Sequence, residues 1–192
     1  RGTRGIMTDI YRRPDNLLEA LDVIADITIK SVLTSPNISE IFMVGYPLHK
    51  GADGWMSQKQ FETFYWPSLK KVMNAFINEG LIQSLFAEGS FNTRLESVNE
   101  FPKGAVTWYF DQTDMFRAKR ILGDKCCIRG NVPSSLVVTG SPGDVKEYCR
   151  KLIEDCGKGG GYILSAGANA ENPKLENLRA MLAAVKEYGV YK

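Results

Sequence analysis

Short apolar runs alternate with amphipathic stretches along this chain. The runs fall at residues 41–44, 81–86, 105–110, 125–129 and 161–165. Each is a block of mainly apolar residues without strict apolar–polar alternation, the pattern of a strand buried on both faces. The intervening stretches carry helical spacing. Leu17, Leu21, Ile24, Thr28 and Val32 recur at that spacing behind Pro14, a residue suited to a first helical turn. Ser57-Gln58-Lys59-Gln60 reads as a capping box that opens a helix to about residue 78, interrupted or kinked at Pro67. Further helices are predicted near 91–99, over 114–122 with Gly123 as the stop, from Ser141-Pro142-Gly143-Asp144 to about residue 156, and over 175–188.

Strands alternating with helices predict an α/β fold: parallel strands covered by helices, roughly five strand–helix units. Without an internal repeat or a low-complexity linker, residues 1–192 read as a single domain. A parallel sheet is either open and doubly wound or closed into a barrel. An open sheet that binds a dinucleotide places a glycine-rich turn after its first strand. Here the glycine cluster Gly157-Lys158-Gly159-Gly160-Gly161 precedes a strand and reads as a helix-to-strand connector.

Composition narrows the function classes. With 44% hydrophobic and 24% charged residues the chain can fill a core, which excludes wholesale disorder. No apolar run approaches the roughly 18–20 residues of a membrane span, so a soluble protein is predicted. A net charge of +2, with its basic residues scattered, argues against a nucleic-acid surface. Four cysteines, two of them adjacent, are too few for a disulfide scaffold and point to the cytoplasm. One histidine, His49, excludes a multi-histidine metal cage within this chain. The start at Arg1-Gly2-Thr3-Arg4-Gly5, without an initiator Met, signal core or transit composition, suggests a piece of a longer protein.

In either parallel architecture the chemistry belongs at the carboxyl ends of the strands. Those ends read Gly45-Tyr46, Glu88-Gly89-Ser90, Asp111-Gln112, Gly130-Asn131 and Ser165 through Asn169. Glu88, Asp111 and Asn131 are therefore the candidate catalytic residues, predicted to face one cavity. Helix capping is the competing reading for Asp111 and Ser90, whereas Glu is a poor capping type. Cys149 and Cys156 share an apolar stripe with Val145, Leu152 and Ile153 and read as core. Cys126 and Cys127 lie in one strand and point to opposite faces. His49 follows the first strand, where acid–base work and a plain surface position are both open.

Several segments resemble the C-terminal third of the uroporphyrinogen decarboxylase family. They are Ala118-Lys119-Arg120-Ile121-Leu122-Gly123 followed by Gly130-Asn131-Val132-Pro133, then Gly140-Ser141-Pro142-Gly143-Asp144-Val145-Lys146-Glu147, Gly159-Gly160-Gly161-Tyr162-Ile163-Leu164 and Leu175-Glu176-Asn177-Leu178-Arg179-Ala180-Met181. Tyr11-Arg12-Arg13-Pro14-Asp15 and Met56-Ser57-Gln58-Lys59-Gln60-Phe61 are similar to helix openings further upstream in that family. The resemblance implies the C-terminal part of a (β/α)8 TIM barrel. The family's substrate-gripping arginine loop and its catalytic aspartate and tyrosine fall upstream of Arg1 and cannot be carried over.

The family has a cofactor-free decarboxylase branch, acting on porphyrinogens, and a zinc-dependent branch of corrinoid-linked methyltransferases. The methyltransferase His-x-Cys zinc pair falls here on Phe86-Ala87-Glu88, and the last-strand position, Cys in methyltransferases and His in decarboxylases, on Gly167 or Ala168. Both diagnostic positions have changed. The resemblance implies methyl transfer from a small ether or amine to a corrinoid on a partner protein, with zinc held by Glu88 and Cys127, helped by Asp111 or Cys126. On this reading a divalent metal involves Glu88 and not His49. The alternatives are a porphyrinogen decarboxylase without cofactor, and a catalytically empty binding or scaffold module. Roughly five strands cannot close an eight-stranded barrel, so self-association through the open edges, or pairing with an N-terminal half, is predicted.

Overall fold

Apolar runs of this kind pair side by side when crossover connections return the chain to the same end of the sheet each time. In the computed structural model, which describes residues 1–168 and 170–190, the five strands do so. They are β1 (Met43–Pro47), β2 (Ile82–Ala87), β3 (Val106–Phe110), β4 (Cys127–Val132) and β5 (Tyr162–Ala166). The sheet runs in the order β1-β2-β3-β4-β5 with every neighbouring pair parallel, and β1 and β5 are its outer strands. The helices are α1 (Gly2–Arg12), α2 (Pro14–Leu33), α3 (Gln58–Gln60), α4 (Trp66–Asn78), α5 (Met115–Leu122), α6 (Ser134–Thr139), α7 (Pro142–Cys156) and α8 (Leu175–Tyr188).

Local chemistry sets several boundaries as predicted. Ser57 and Gln60 form a reciprocal capping box, as do Ser141 and Asp144. Pro14 opens α2, and Pro67 sits in the first turn of α4, after a π-helical turn over Phe61–Tyr65 that separates it from α3.

One face of the sheet packs on helices. Leu85, Ala87, Trp108, Phe110 and Ile128 are wholly buried with Leu122, Val145, Cys149 and Cys156. Each large side chain removed from water here contributes roughly 1.5–3 kcal/mol. Ala25, Val72, Phe76 and Leu81 form a smaller cluster between α2, α4 and the start of β2. The other face carries Ser84 and Phe86 of β2, Thr107 and Tyr109 of β3, and Cys127 and Arg129 of β4, in register and half-buried.

Four expectations are corrected. The helix predicted near 91–99 is a run of turns, because Phe91, Leu95, Val98 and Phe101 are drawn into the core while Asp53 takes the Thr93 amide. β1 lies later than residues 41–44, so Tyr46 is within the strand, and the carboxyl end falls at Leu48 and His49. β4 extends through Val132, which puts Asn131 inside it, paired with Ser165. Helices α1 and α6 were not anticipated; α1 lacks a long apolar stripe and is tied internally by an ion pair between Arg1 and Asp9 at 2.6 Å. Asn169, one of the strand-end residues, lies outside the described residues.

Candidate functional site at the carboxyl ends of the strands

The first strand-end loop is stapled before it can wander. Leu48 N–H donates to Phe86 O at 2.8 Å, and Asp53 N–H to Ser90 O at 2.8 Å. Arg94, 1% exposed, sends its guanidinium into the loop, donating to Gly51 O, Met56 O and Gln58 Oε1 while it lies over the Phe61 ring. Burial pulls the Arg94 pKa down, opposed by Asp53 and Glu62. Three hydrogen bonds to oxygen and an ion pair with Asp53, Nε to Oδ1 at 3.7 Å, meet the condition under which a charge is tolerated in a core.

The loop so held places His49 Nδ1 against Glu88 Oε2, both half-exposed. The two residues come from the ends of β1 and β2. The His49 ring stands edge-on to Phe86 with centroids 6.4 Å apart. Phe86 stacks on Tyr109 at 4.7 Å, and the Arg129 guanidinium lies over Tyr109 at 4.2 Å. A row of four side chains thus crosses the open face from β1 to β4, with an acid–base pair at one end and a permanent cation at the other. Tyr109 Oη donates to the backbone carbonyls of Ala166 and Gly167, which fixes the ring.

The other two predicted residues lie together, one step away from Glu88. Asp111 Oδ2 accepts from Gly89 N–H at 3.0 Å, and Oδ1 from Ala168 N–H at 2.7 Å. Asn131 Nδ2 donates to Asp111 O at 3.1 Å and Thr113 O at 2.6 Å. Gly130 makes this possible: its φ is +133°, and a Cβ there would stand 2.5 Å from Phe110 O. Asp111 and Asn131 line one cavity of about 780 Å³, whose wall does not include Glu88. The predicted trio therefore divides into Glu88 with His49 on one side and Asp111 with Asn131 on the other. The sequence leaves His49 open between acid–base work and a plain surface position; what brings it to Glu88 is a loop held by Arg94 and Asp53, whose contacts are long-range.

The chain belongs to the uroporphyrinogen decarboxylase (URO-D) family, whose model matches residues 1–188. The five parallel strands are a part of that family's TIM barrel. Among solved structures, a methyltransferase from Methanosarcina mazei is similar with a TM-score of 0.73 and 18% identity, over 98% of this chain and 54% of that one. The likeness is one of fold, and the chain spans about half the length of that relative. No curated protein matches the sequence.

The zinc site that the resemblance implied does not fit the donor set. A catalytic zinc takes three protein ligands. Among the described residues no three His, Cys, Asp or Glu side chains gather closely enough to hold an ion. Cys127 is level with Thr107 and, through it, with Ser84. That is four residues short of Glu88 along the strand, about 13 Å, and two strands away. Burial raises the Cys127 thiol pKa, opposed by a hydrogen bond with Thr107. Asp111 has both oxygens occupied by amides. Among the described residues it is His49, excluded from the expected site, whose side chain is hydrogen-bonded to Glu88.

Proposed function

We propose that this chain contributes the acid–base pair of a methyl-transferring enzyme of the family, with a small ether or amine as donor and a corrinoid on a partner protein as the methyl acceptor. The observation that carries this reading is the His49–Glu88 contact at the end of the Phe86–Tyr109 floor. An ether or amine is a poor leaving group until its heteroatom is protonated. A corrinoid presented by the partner would supply the nucleophile for the methyl carbon. The carbon–heteroatom bond breaks toward the heteroatom, and His49 supplies the proton that the departing alcohol or amine retains. Glu88 orients the ring through its contact with Nδ1. His49 then regains a proton from solvent, to which it is open.

Asp111 acts as a positioning residue, holding the turn at Gly89 and the end of β5 together. All four cysteines are free, which supports a cytoplasmic setting. No helix among the described residues is long and apolar enough to cross a membrane.

A second reading, porphyrinogen decarboxylation, draws on Arg129. Its guanidinium stands on the same open face and offsets the acids that the strand ends carry. The full chain, supplied with reduced free corrinoid and a panel of methyl ethers and methylamines, is followed by the corrinoid absorbance. Methylation that falls at least about tenfold in both His49→Ala and Glu88→Gln supports the first reading. Carbon dioxide release from a porphyrinogen, without corrinoid methylation, replaces it with the second. Neither activity leaves the binding-module alternative.

A further inference from the structure

Arg129 is a permanent cation that the fold orients without giving it a counter-charge. It stands half-buried on the open face of β4, and the residues level with it on either side, Tyr109 and Ile163, are uncharged. Its guanidinium lies over the Tyr109 ring, which is itself tied to the carbonyls of Ala166 and Gly167. Arg129 Nε donates to Ser165 Oγ at 3.4 Å, and that hydroxyl donates in turn to Ala166 O at 2.9 Å. Two independent contacts therefore hold the group flat and set its direction.

Both Nη groups remain unspent. Among the described residues no acidic side chain or carbonyl accepts from them. Arg94 is the contrast, since its nitrogens meet Gly51 O, Met56 O, Gln58 Oε1 and Asp53. A guanidinium partly withdrawn from water and fixed without an acceptor is costly unless another molecule supplies one, and its paired N–H edge matches a carboxylate. One cation also sets the ligand's charge. Glu88 follows β2 and Asp111 follows β3, so a dianion such as a phosphate monoester would meet two carboxylates with one guanidinium to offset them. A monoanion does not need a second cation.

We propose that Arg129 binds the carboxylate of a small monocarboxylate substrate, and that the methyl donor is of this class, with its apolar body across Phe86 and Tyr109 and its ether or amine group at His49. The steps of the row are 6.4 Å from His49 to Phe86, 4.7 Å on to Tyr109 and 4.2 Å on to Arg129. They limit how far apart the two ends can stand, and a para-substituted benzoate with a hydrogen bond at each end is of that order. The role of the far end rests on the methyl-transfer reading; the carboxylate contact does not.

The test pairs para-methoxybenzoate with para-methoxybenzamide, which keeps the shape and removes the charge. Each is titrated with the full chain at neutral pH and followed by the line widths of its own proton signals. The benzoate is expected to bind with a dissociation constant on the order of millimolar, at least about fivefold tighter than the amide. Arg129→Gln should bring the benzoate to the level of the amide and leave the amide itself unchanged, which a general loss of structure would not do. Arg129→Lys should recover part of the difference, since an ammonium cannot offer the paired N–H edge. Equal binding of the two probes, no saturable benzoate binding below about 20 mM, or a benzoate preference that survives Arg129→Gln overturns the proposal. The comparison of the two probes on the unchanged chain stands even if a variant misfolds. Turnover with reduced free corrinoid separates this proposal from the reading it builds on. Arg129-dependent binding with no corrinoid methylation from any donor supports the carboxylate site and rejects methyl transfer. Methylation from donors without a carboxylate as fast as from the benzoate overturns the substrate class.

Discussion

Asp111 occupies the space that a side chain at position 167 would take. Its Oδ1 lies 2.7 Å from where a Cβ on Gly167 would stand, and the same oxygen accepts from Ala168 N–H. The resemblance puts the family's last-strand ligand at Gly167 or Ala168, and a side chain introduced at 167 meets that carboxylate first.

Gly167→Cys should therefore lower stability by about 1–3 kcal/mol and bring no zinc. The displaced oxygen loses the Ala168 amide, and the new thiol has no cluster of donors to join. Urea denaturation and metal analysis after zinc dialysis measure the two effects. Combining Gly167→Cys with Asp111→Ala should cost less than the two separate losses added together, because the clash is gone. Strict additivity would show that the carboxylate does not fill this space.

Arg94 holds the loop that presents His49. Arg94→Met should destabilise the chain by about 3–5 kcal/mol, leaving Gly51 O, Met56 O and Gln58 Oε1 without their donor. Arg94→Lys cannot reach all three acceptors from one nitrogen and should recover only part of the loss. The loop itself gives the sharper reading. Faster hydrogen exchange at the Asp53 amide, and movement of the His49 ring resonances, should appear at denaturant concentrations where the Arg94→Lys core is still folded. His49 is the one histidine in the chain, so its ring signals need no assignment. Unchanged His49 signals would separate the loop from Arg94.

Much of the scaffold was legible before the structure, and for local reasons. Five apolar runs marked five strands, and two capping boxes marked two helix starts, because both signals are written within a few consecutive residues. The missed features depend on contacts far along the chain. Residues 91–99 have helical spacing, but Asp53 and the Arg94 anchor pull that backbone into turns. Asn131 reads as a strand end, yet Gly130 lets the backbone pass close to Phe110 and the strand continues to Val132. At the site, Glu88 and Asp111 were visible from their places after apolar runs. Their partners were not, since the His49 contact crosses 39 residues and the Ala168 contact 57.

The thiols give a pH dependence. Burial pushes Cys126, Cys149 and Cys156 each up to about 11. In the unfolded chain a thiol titrates near 8.5, so between about pH 8.5 and 11 the folded state binds more protons and stability falls as pH rises. Their contribution is fully present below that window. The melting temperature should decline across it, and replacing Cys149 by Ala should flatten part of the decline. At pH 8, a thiol reagent on the native protein should label Cys127, the half-buried cysteine, ahead of the other three, which should react only after denaturant is added. Rapid labelling of Cys149 or Cys156 in the native state would contradict their burial.

Association is the last expectation, and it follows from what the two ends of the sheet expose. At the β1 end Phe42 is 72% exposed, and on β5 Ile163 is 47% exposed. Beyond β5, Leu175, Leu178, Leu182 and Val185 of α8 recur at helical spacing on a face turned away from the α7 contact, with Leu182 64% exposed. Outer strands present unpaired backbone groups, and an apolar stripe beside them adds a driving force of about 25 cal/mol per Å² covered. We propose that these 192 residues alone self-associate through the β1 and β5 ends, or pair with an N-terminal half of the family barrel when one is supplied. Sedimentation velocity should show species larger than a monomer at micromolar concentration. A lysine at an outer strand discourages edge pairing, so Ile163→Lys, and separately Leu182→Glu, should shift the distribution toward monomer without loss of helical signal. Both substituted chains sedimenting as the unchanged protein does would place the contact elsewhere, and a wild-type monomer at these concentrations would show that the exposed ends do not drive association.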